Sequence, residues 1–349
     1  MTRTHRIRSR RRRAGWAALA AAAVAAPAVA HALIQRRLRA PDALGWGRTH
    51  RYAGHLGPVI FQELGAGPPI VLLHAFGPGY DSRQWGPAAE ELARHYRVLA
   101  PDLPGWGRSA PVEPRPELYL ASLADLLVGV VRDPAVLVAA GHAAPYAVHL
   151  AAALPDQVRA LALVAPAGSD SDLGGAADAS DADAADGTGQ LSAVHPPAGQ
   201  LLAELLAVPL LRVSVLDALT SRAALAHHLR RHAYAAPERV DAALVEHHYR
   251  VSHLPAHREA LAAYWRGELE LSTADALRRL RMPVWIGRGA AGRAAEPDRA
   301  DSATASLLPP ASRIETLHDS RELPHAEQPL AFSRALTRFL AQLSAAQPA

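Results

Sequence analysis

The chain has 349 residues, no Cys, and 37 basic residues against 33 acidic ones. The missing Cys excludes disulfides, thiolate nucleophiles and cysteine-ligated zinc. Every basic residue is Arg, and seven of the 37 lie in residues 1–13. The remainder therefore holds 30 Arg against 33 acids, and a basic groove for a nucleic-acid backbone is not supported.

Residues 1–13 form a basic leader, and the stretch 14–34 that follows carries no charge, the layout of a signal peptide or an N-terminal membrane anchor. Ala28-Val29-Ala30 and Ala30-His31-Ala32 offer small-residue cleavage sites, whereas an uncleaved segment of about 20 residues could just span a bilayer. Either outcome places the main domain outside the cytoplasm, tethered to the membrane if uncleaved. The stretch is mostly Ala, with Pro27 and His31 inside it, so a peripheral or soluble helix in the cytoplasm is the alternative.

From His50 onward short apolar runs alternate with helical patterns, which predicts a mainly parallel sheet flanked by helices. An opening hairpin is expected at His50 to Ala53 and Pro58 to Leu64, then strands at Pro69 to His74, Tyr96 to Ala100, Ala135 to Ala140 and Arg159 to Ala165. Helices are expected at Pro87 to His95, Glu117 to Val131 and up to Ala153. Residues 169–190 hold six Asp and no base, which reads as an acidic, disordered insertion. Asp181, Asp183 and Asp186-Gly187 resemble part of a calcium loop, but the glycine comes one position late and no Glu closes it. Residues 191–275 are helical in period, and strands return at Met282 to Gly287 and Ser312 to Leu317 before a closing helix from Pro329 to Leu343. The order predicts an α/β domain in two parts, 45–168 and 276–345, with a helical cap inserted between them.

Five strings resemble the α/β-hydrolase superfamily, specifically its capped members: PPIVLLHAFGPG, APDLPGWGRS, VAAGHAAPYAVHLAAALPDQVRALALVAPAG, MPVWIGRG and LPHAEQPLAFSRALTRFL. The resemblance implies the α/β-hydrolase fold and hydrolysis of a small ester or related substrate, with no cofactor. It implies a nucleophile at the centre of a G-x-S-x-G elbow, a strained strand-to-helix turn. Here that pentapeptide is Gly141-His142-Ala143-Ala144-Pro145, so the nucleophile position is Ala143, whose methyl group can attack nothing. Counting through G-x-x-D from Gly287 puts the triad acid at Ala290, and counting back from Leu323 puts the general base at Glu322.

On that alignment all three triad positions are vacant, and the chain reads as an inactive hydrolase homologue. Substitutes would be Asp170 for the acid, His318 for the base and, beside the elbow, His142, whose family counterpart faces away from the pocket. The backbone N–H groups of Phe76 and Ala144 are expected to form an oxyanion hole under the cap. Such a pocket would bind a small apolar ligand carrying a carbonyl or carboxylate. An active hydrolase using displaced residues, and a membrane-tethered interaction domain, are the competing readings. His228 with His232, and His253 with His257, are spaced to put two imidazoles on one metal, but no carboxylate completes a shell and no metal is assigned.

Overall fold

A computed structural model describes residues 45–167, 196–291 and 305–346. The basic leader, the uncharged stretch 14–34, the acidic insertion 169–190 and Asp170 lie outside the described residues.

The sheet has eight strands: β1 (Arg48–Gly54), β2 (Gly57–Leu64), β3 (Pro69–Leu73), β4 (Arg97–Pro101), β5 (Ala135–Ala140), β6 (Val158–Val164), β7 (Val284–Gly289) and β8 (Arg313–Leu317). Their spatial order is β1-β2-β4-β3-β5-β6-β7-β8, with the first two pairings antiparallel and the rest parallel. The central strands carry continuous apolar runs because both faces are covered. β3 reads PIVLL and β5 reads AVLVAA, and every residue of both is buried.

The two-residue period of those strands builds two cores. Val71, Leu73, Leu137 and Ala139 point to one face, where they meet Tyr119, Leu123 and Leu126 of α2 (Pro116–Leu126) and Tyr146 and Leu150 of α3 (Ala144–Ala153). Ile70, Leu72, Val136 and Val138 point to the other, against Leu92 of α1 (Gly86–Leu92) and Phe332, Leu336 and Phe339 of the closing helix Pro329–Ala346. The sequence pattern predicts α2 as one helix to Val131, but its last turn widens into a π turn at Leu127–Val131.

Between β6 and β7 the described chain runs through helices Pro196–Ala207, Pro209–Leu219, Arg222–His228, Ala242–Ser252 and Pro255–Trp265. Pro opens three of them at its favoured first-turn position, and Ser221 and Asp241 cap the other two through their side chains. Among the described residues no helix is long and apolar enough to cross a membrane.

Candidate active site at the strand-to-helix turn after β5

Ala143 sits where β5 turns into α3, fully buried and part of the same apolar cluster as Phe76, Trp106, Tyr119 and Tyr146. The strain expected at this position is absent. Ala143 has φ −79° and ψ −14°, ordinary helical values, and the left-handed conformation falls two residues earlier, at Gly141 with φ +53°. Gly141–Ala143 form a 3₁₀ turn that runs directly into α3. Pro145 at the start of α3 fixes a helical φ there and favours this smooth entry.

This geometry corrects the expected oxyanion hole. The Ala144 N–H donates to the Gly141 carbonyl inside the 3₁₀ turn, so it does not face a ligand. A sharp elbow would free that N–H; the relaxed one consumes it. Only the Phe76 position remains from the two expected donors.

The space expected for a pocket under the cap is rich in aromatic rings. The Phe76 ring stacks on Trp106 at 5.1 Å and meets Tyr146 at 5.3 Å, Tyr119 at 6.1 Å and Tyr264 at 6.2 Å. These rings come from the oxyanion loop, the loop after β4, α2, α3 and the inserted helices, and they pack in the apolar cluster that includes Ala143. A groove of about 470 Å³, lined by Ala223, Ala226, His227, Arg230 and Arg231, lies elsewhere, on the outside of the insertion.

The two residues that the resemblance assigns to the acid and base positions, Ala290 and Glu322, are held by backbone pairing after β7 and β8. The Ala290 N–H donates to Leu317 O at 2.9 Å and the Ala291 N–H to Ser320 O at 3.0 Å. Glu322 follows β8, with its N–H donating to Ala233 O of the insertion at 3.3 Å. Burial lifts the Glu322 carboxyl to about 7, against the opposing pull of Arg321 and with a small push from Glu327. Its charge reaches the hydroxyls of Tyr80 and Tyr264.

Of the proposed substitutes, His318 is exposed on the turn after β8 and is not brought to Ala143's buried environment. The turn carries it outward, with Asp319 in a left-handed conformation at φ +54°. His142 departs from the expectation that it faces away: its Nδ1 lies 3.2 Å from Tyr264 Oη, and burial presses its pKa down to about 4. His325 stacks on Trp85 at 3.9 Å and pairs its Nε2 with Gln84 Oε1 at 2.9 Å.

The histidines of the insertion act as anchors. His247 Nε2 lies 3.1 Å from Asp81 Oδ1, His248 Nδ1 donates to Pro78 O at 2.8 Å, and the Gly79 N–H donates to His257 Nε2 at 3.1 Å. All three partners belong to the loop after β3. Burial alone would raise Asp81, yet the charge and hydrogen bond of His247 bring it down to about 2. Gly79 allows the close approach, because a Cβ there would fall 2.4 Å from His248 Cα and its φ is +75°.

His253 Nδ1 donates to Tyr249 O. His228 and His232 stack at 5.9 Å. Among the described residues no group of three His, Cys, Asp or Glu is placed to hold a metal. Asp81→Asn should weaken the buried hydrogen bonds to His247 Nε2 and the Arg83 N–H, destabilising the protein by roughly 1–3 kcal/mol. A urea unfolding midpoint measures this, and an unchanged midpoint would mean that the pair holds nothing together.

Sequence reasoning missed Asp81, His247, His248, Tyr80 and Tyr264. One signal was available: His257 and Tyr264 stand two turns apart on helix Pro255–Trp265, so they share a face, and that face meets the oxyanion loop and the turn after β5.

Known proteins resemble this arrangement. A sequence model described as "Alpha/beta hydrolase family" matches residues 70–335, well over half of the chain. A pimeloyl-[acyl-carrier protein] methyl ester esterase of Pseudoalteromonas atlantica is 36% identical over 104 residues, 30% of this chain and 39% of the esterase. A 2-hydroxy-6-oxo-2,4-heptadienoate hydrolase of Pseudomonas putida is 34% identical over 111 residues, 31% of this chain and 40% of the hydrolase. The matched segments thus span about two fifths of these curated relatives. Among solved structures, Cfl2 of Burkholderia cenocepacia superposes with a TM-score of 0.67 at 26% identity, covering 86% of this chain and 98% of Cfl2. An esterase of Thermogutta terrifontis superposes with a TM-score of 0.61 at 20% identity, over 85% of this chain and 99% of the esterase.

Proposed function

Starting from the chain's membership of the alpha/beta hydrolase family, we propose that it is a hydrolase scaffold that performs no acyl-enzyme chemistry and works by binding. The observation that carries this reading is Ala143, a methyl group at the nucleophile position, buried and in relaxed helical geometry. A covalent route needs a nucleophile beside a base that takes its proton. Neither Ala143 nor Ala290 supplies a reactive group, and His318 points to solvent. The tied Ala144 N–H further weakens stabilisation of a tetrahedral intermediate.

The Arg-rich residues 1–13 and the uncharged stretch 14–34 support display outside the cytoplasm as part of the same proposal.

A serine-reactive fluorophosphonate probe tests this reading. The purified protein is expected to stay unlabelled and to leave p-nitrophenyl esters at their uncatalysed rate. Stoichiometric labelling, or turnover lost on mutating a single residue, would overturn it.

A further inference from the structure

Three buried histidines of the insertion hold the loop after β3, and they do so in two chemically different ways. His248 donates through Nδ1 to Pro78 O at 2.8 Å, and His247 Nε2 lies 3.1 Å from Asp81 Oδ1. A proton added to either ring leaves that hydrogen bond in place, because an imidazolium donates through both nitrogens. His257 is the exception. Its Nε2 accepts the Gly79 N–H at 3.1 Å, and the Gly107 N–H points to its Nδ1 at 3.5 Å. A neutral imidazole keeps one lone pair, so in either tautomer it takes one of these amide hydrogens, whereas an imidazolium takes neither. Protonation therefore sets a ring N–H against a backbone N–H at a residue with 0% exposure.

The groups that face His257 come from three directions. From the segment after β3, Asp81 and the Gly77 carbonyl favour a charged ring and His74 opposes it. From helix Ala242–Ser252, His248 opposes it as well. From the loop after β4 come Gly107 and Trp106, whose ring stands perpendicular to the imidazole at 4.8 Å between centroids. On the helix of His257 itself, Arg258 and Glu259 turn to other parts of the insertion, where they pair with Asp217 and Arg212. His257 also lies in the first turn of helix Pro255–Trp265, the end at which the helix dipole disfavours a positive charge. Burial is the largest influence, and it outweighs Asp81 to hold the ring neutral, with a pKa of about 3.

The two loops tied by His257 carry Phe76 and Trp106, the stacked pair of the apolar cluster that includes Ala143. We propose that His257 is an acid-operated latch: a proton on its ring frees Gly79 and Gly107 from helix Pro255–Trp265 and loosens the loops that carry Phe76 and Trp106, while His247 and His248 keep their hold. The latch is complete above about pH 6.5, where a released imidazole gives up its proton, and it weakens as the pH falls toward the folded value of about 3. It is a local opening, distinct from the unfolding of the sheet, and it does not depend on whether the chain is catalytically inert.

Hydrogen exchange on the full chain tests it, read by mass spectrometry with fragmentation to single residues and corrected for the intrinsic pH dependence of exchange. The Gly79 amide, whose hydrogen His257 accepts, reports the latch directly. Between pH 7 and pH 5 its protection should fall about 20-fold, the change expected when a ring with a pKa near 3 in place and near 6.5 when released takes up a proton on opening. At both pH values Gly79 should exchange at least about tenfold faster than the Val138 amide of β5, which marks the opening as local. His257→Gln keeps an acceptor but cannot titrate, and its Gly79 protection should change less than about threefold over the same range. Equal protection at Gly79 and Val138 would mean that the loop opens only with the whole fold, and it overturns the proposal. So does a full 20-fold fall in His257→Gln, or none in the wild type. If His257→Gln fails to fold, the wild-type fall at Gly79 and its ratio to Val138 decide alone.

Discussion

Between pH 7 and pH 4 the protein should lose its tertiary structure, beginning as the pH falls below about 6.5, where histidines of an unfolded chain titrate. Burial holds His142 and His248 at about 4 and His228, His257 and His325 at about 3. Each is neutral in the fold and far more easily protonated out of it. With the folded pKa depressed below the unfolded one, the unfolded state binds more protons throughout the window, and stability falls with pH. The contribution is complete above about 6.5 and is lost progressively on acidification toward 4 and 3. Each such histidine is worth about 1.4 kcal/mol per pH unit in that window, so several together rival the roughly 5–15 kcal/mol of a whole domain.

Other groups modify this slope: His74, lowered by burial, adds to it, and Glu327, raised by burial, opposes it. Glu322, raised to about 7, behaves oppositely: it is most favourable below its unfolded value and loses that advantage as pH rises through 7, which offsets one histidine of the five. Asp81, lowered to about 2, adds its own loss only below its ordinary value of 3.8. Thermal melts followed by near-ultraviolet circular dichroism at pH 7, 6, 5 and 4 measure the effect. A melting temperature constant from pH 7 to pH 5 would show that these imidazoles are not held neutral. His257→Gln should flatten the dependence in part, because it removes one titrating group from the contact with Gly79.

The triple variant Ala143→Ser, Ala290→Asp, Glu322→His is expected to fold without gaining esterase activity or probe labelling. Restoring three side chains does not restore the turn that presents them. Ser at position 143 would inherit φ −79° and ψ −14° and lie along the start of α3, and the Ala144 N–H would still serve Gly141. Loss of one oxyanion donor alone costs on the order of 10²–10³ in rate. The Phe76, Trp106 and Tyr264 rings would still occupy the approach. Adding Pro145→Gly separates backbone from side-chain causes, since a glycine there allows the sharper turn. Turnover in the quadruple variant but not in the triple would locate the defect in the elbow. Turnover in the triple variant would show that the turn tightens as soon as a nucleophile is present.

Much of the sheet was legible from local signals. The apolar runs at Pro69–Leu73 and Ala135–Ala140 are bounded by Gly and Pro and give β3 and β5 within one residue, because a strand buried on both faces has no polar positions to confuse its limits. The turn that carries Ala143, where the resemblance implies a nucleophile, was legible for a similar reason: Gly141 follows a buried strand and Ala144–Ala153 is a strong helix pattern, so the register leaves Ala143 between them. The candidate site was less legible. The partners of Asp81, Pro78 and Gly79 lie on helices more than a hundred residues away, and nothing local marks His247, His248 or His257 as their counterparts. The direction of His142 depended in the same way on Tyr264, and the exposure of His318 on the path of the turn after β8.

The sequence by itself determined the α/β architecture and which residues, Ala143, Ala290 and Glu322, stand at the positions the resemblance singles out, because hydrophobic period and short turn strings are properties of neighbouring residues. Only the tertiary structure decided what surrounds those positions. A carboxyl lifted to about 7 and rings gathered beside the turn arise where distant segments exclude water together. Burial is a property of the assembled chain, and it is burial that lifts the Glu322 carboxyl above the ordinary range of a glutamate.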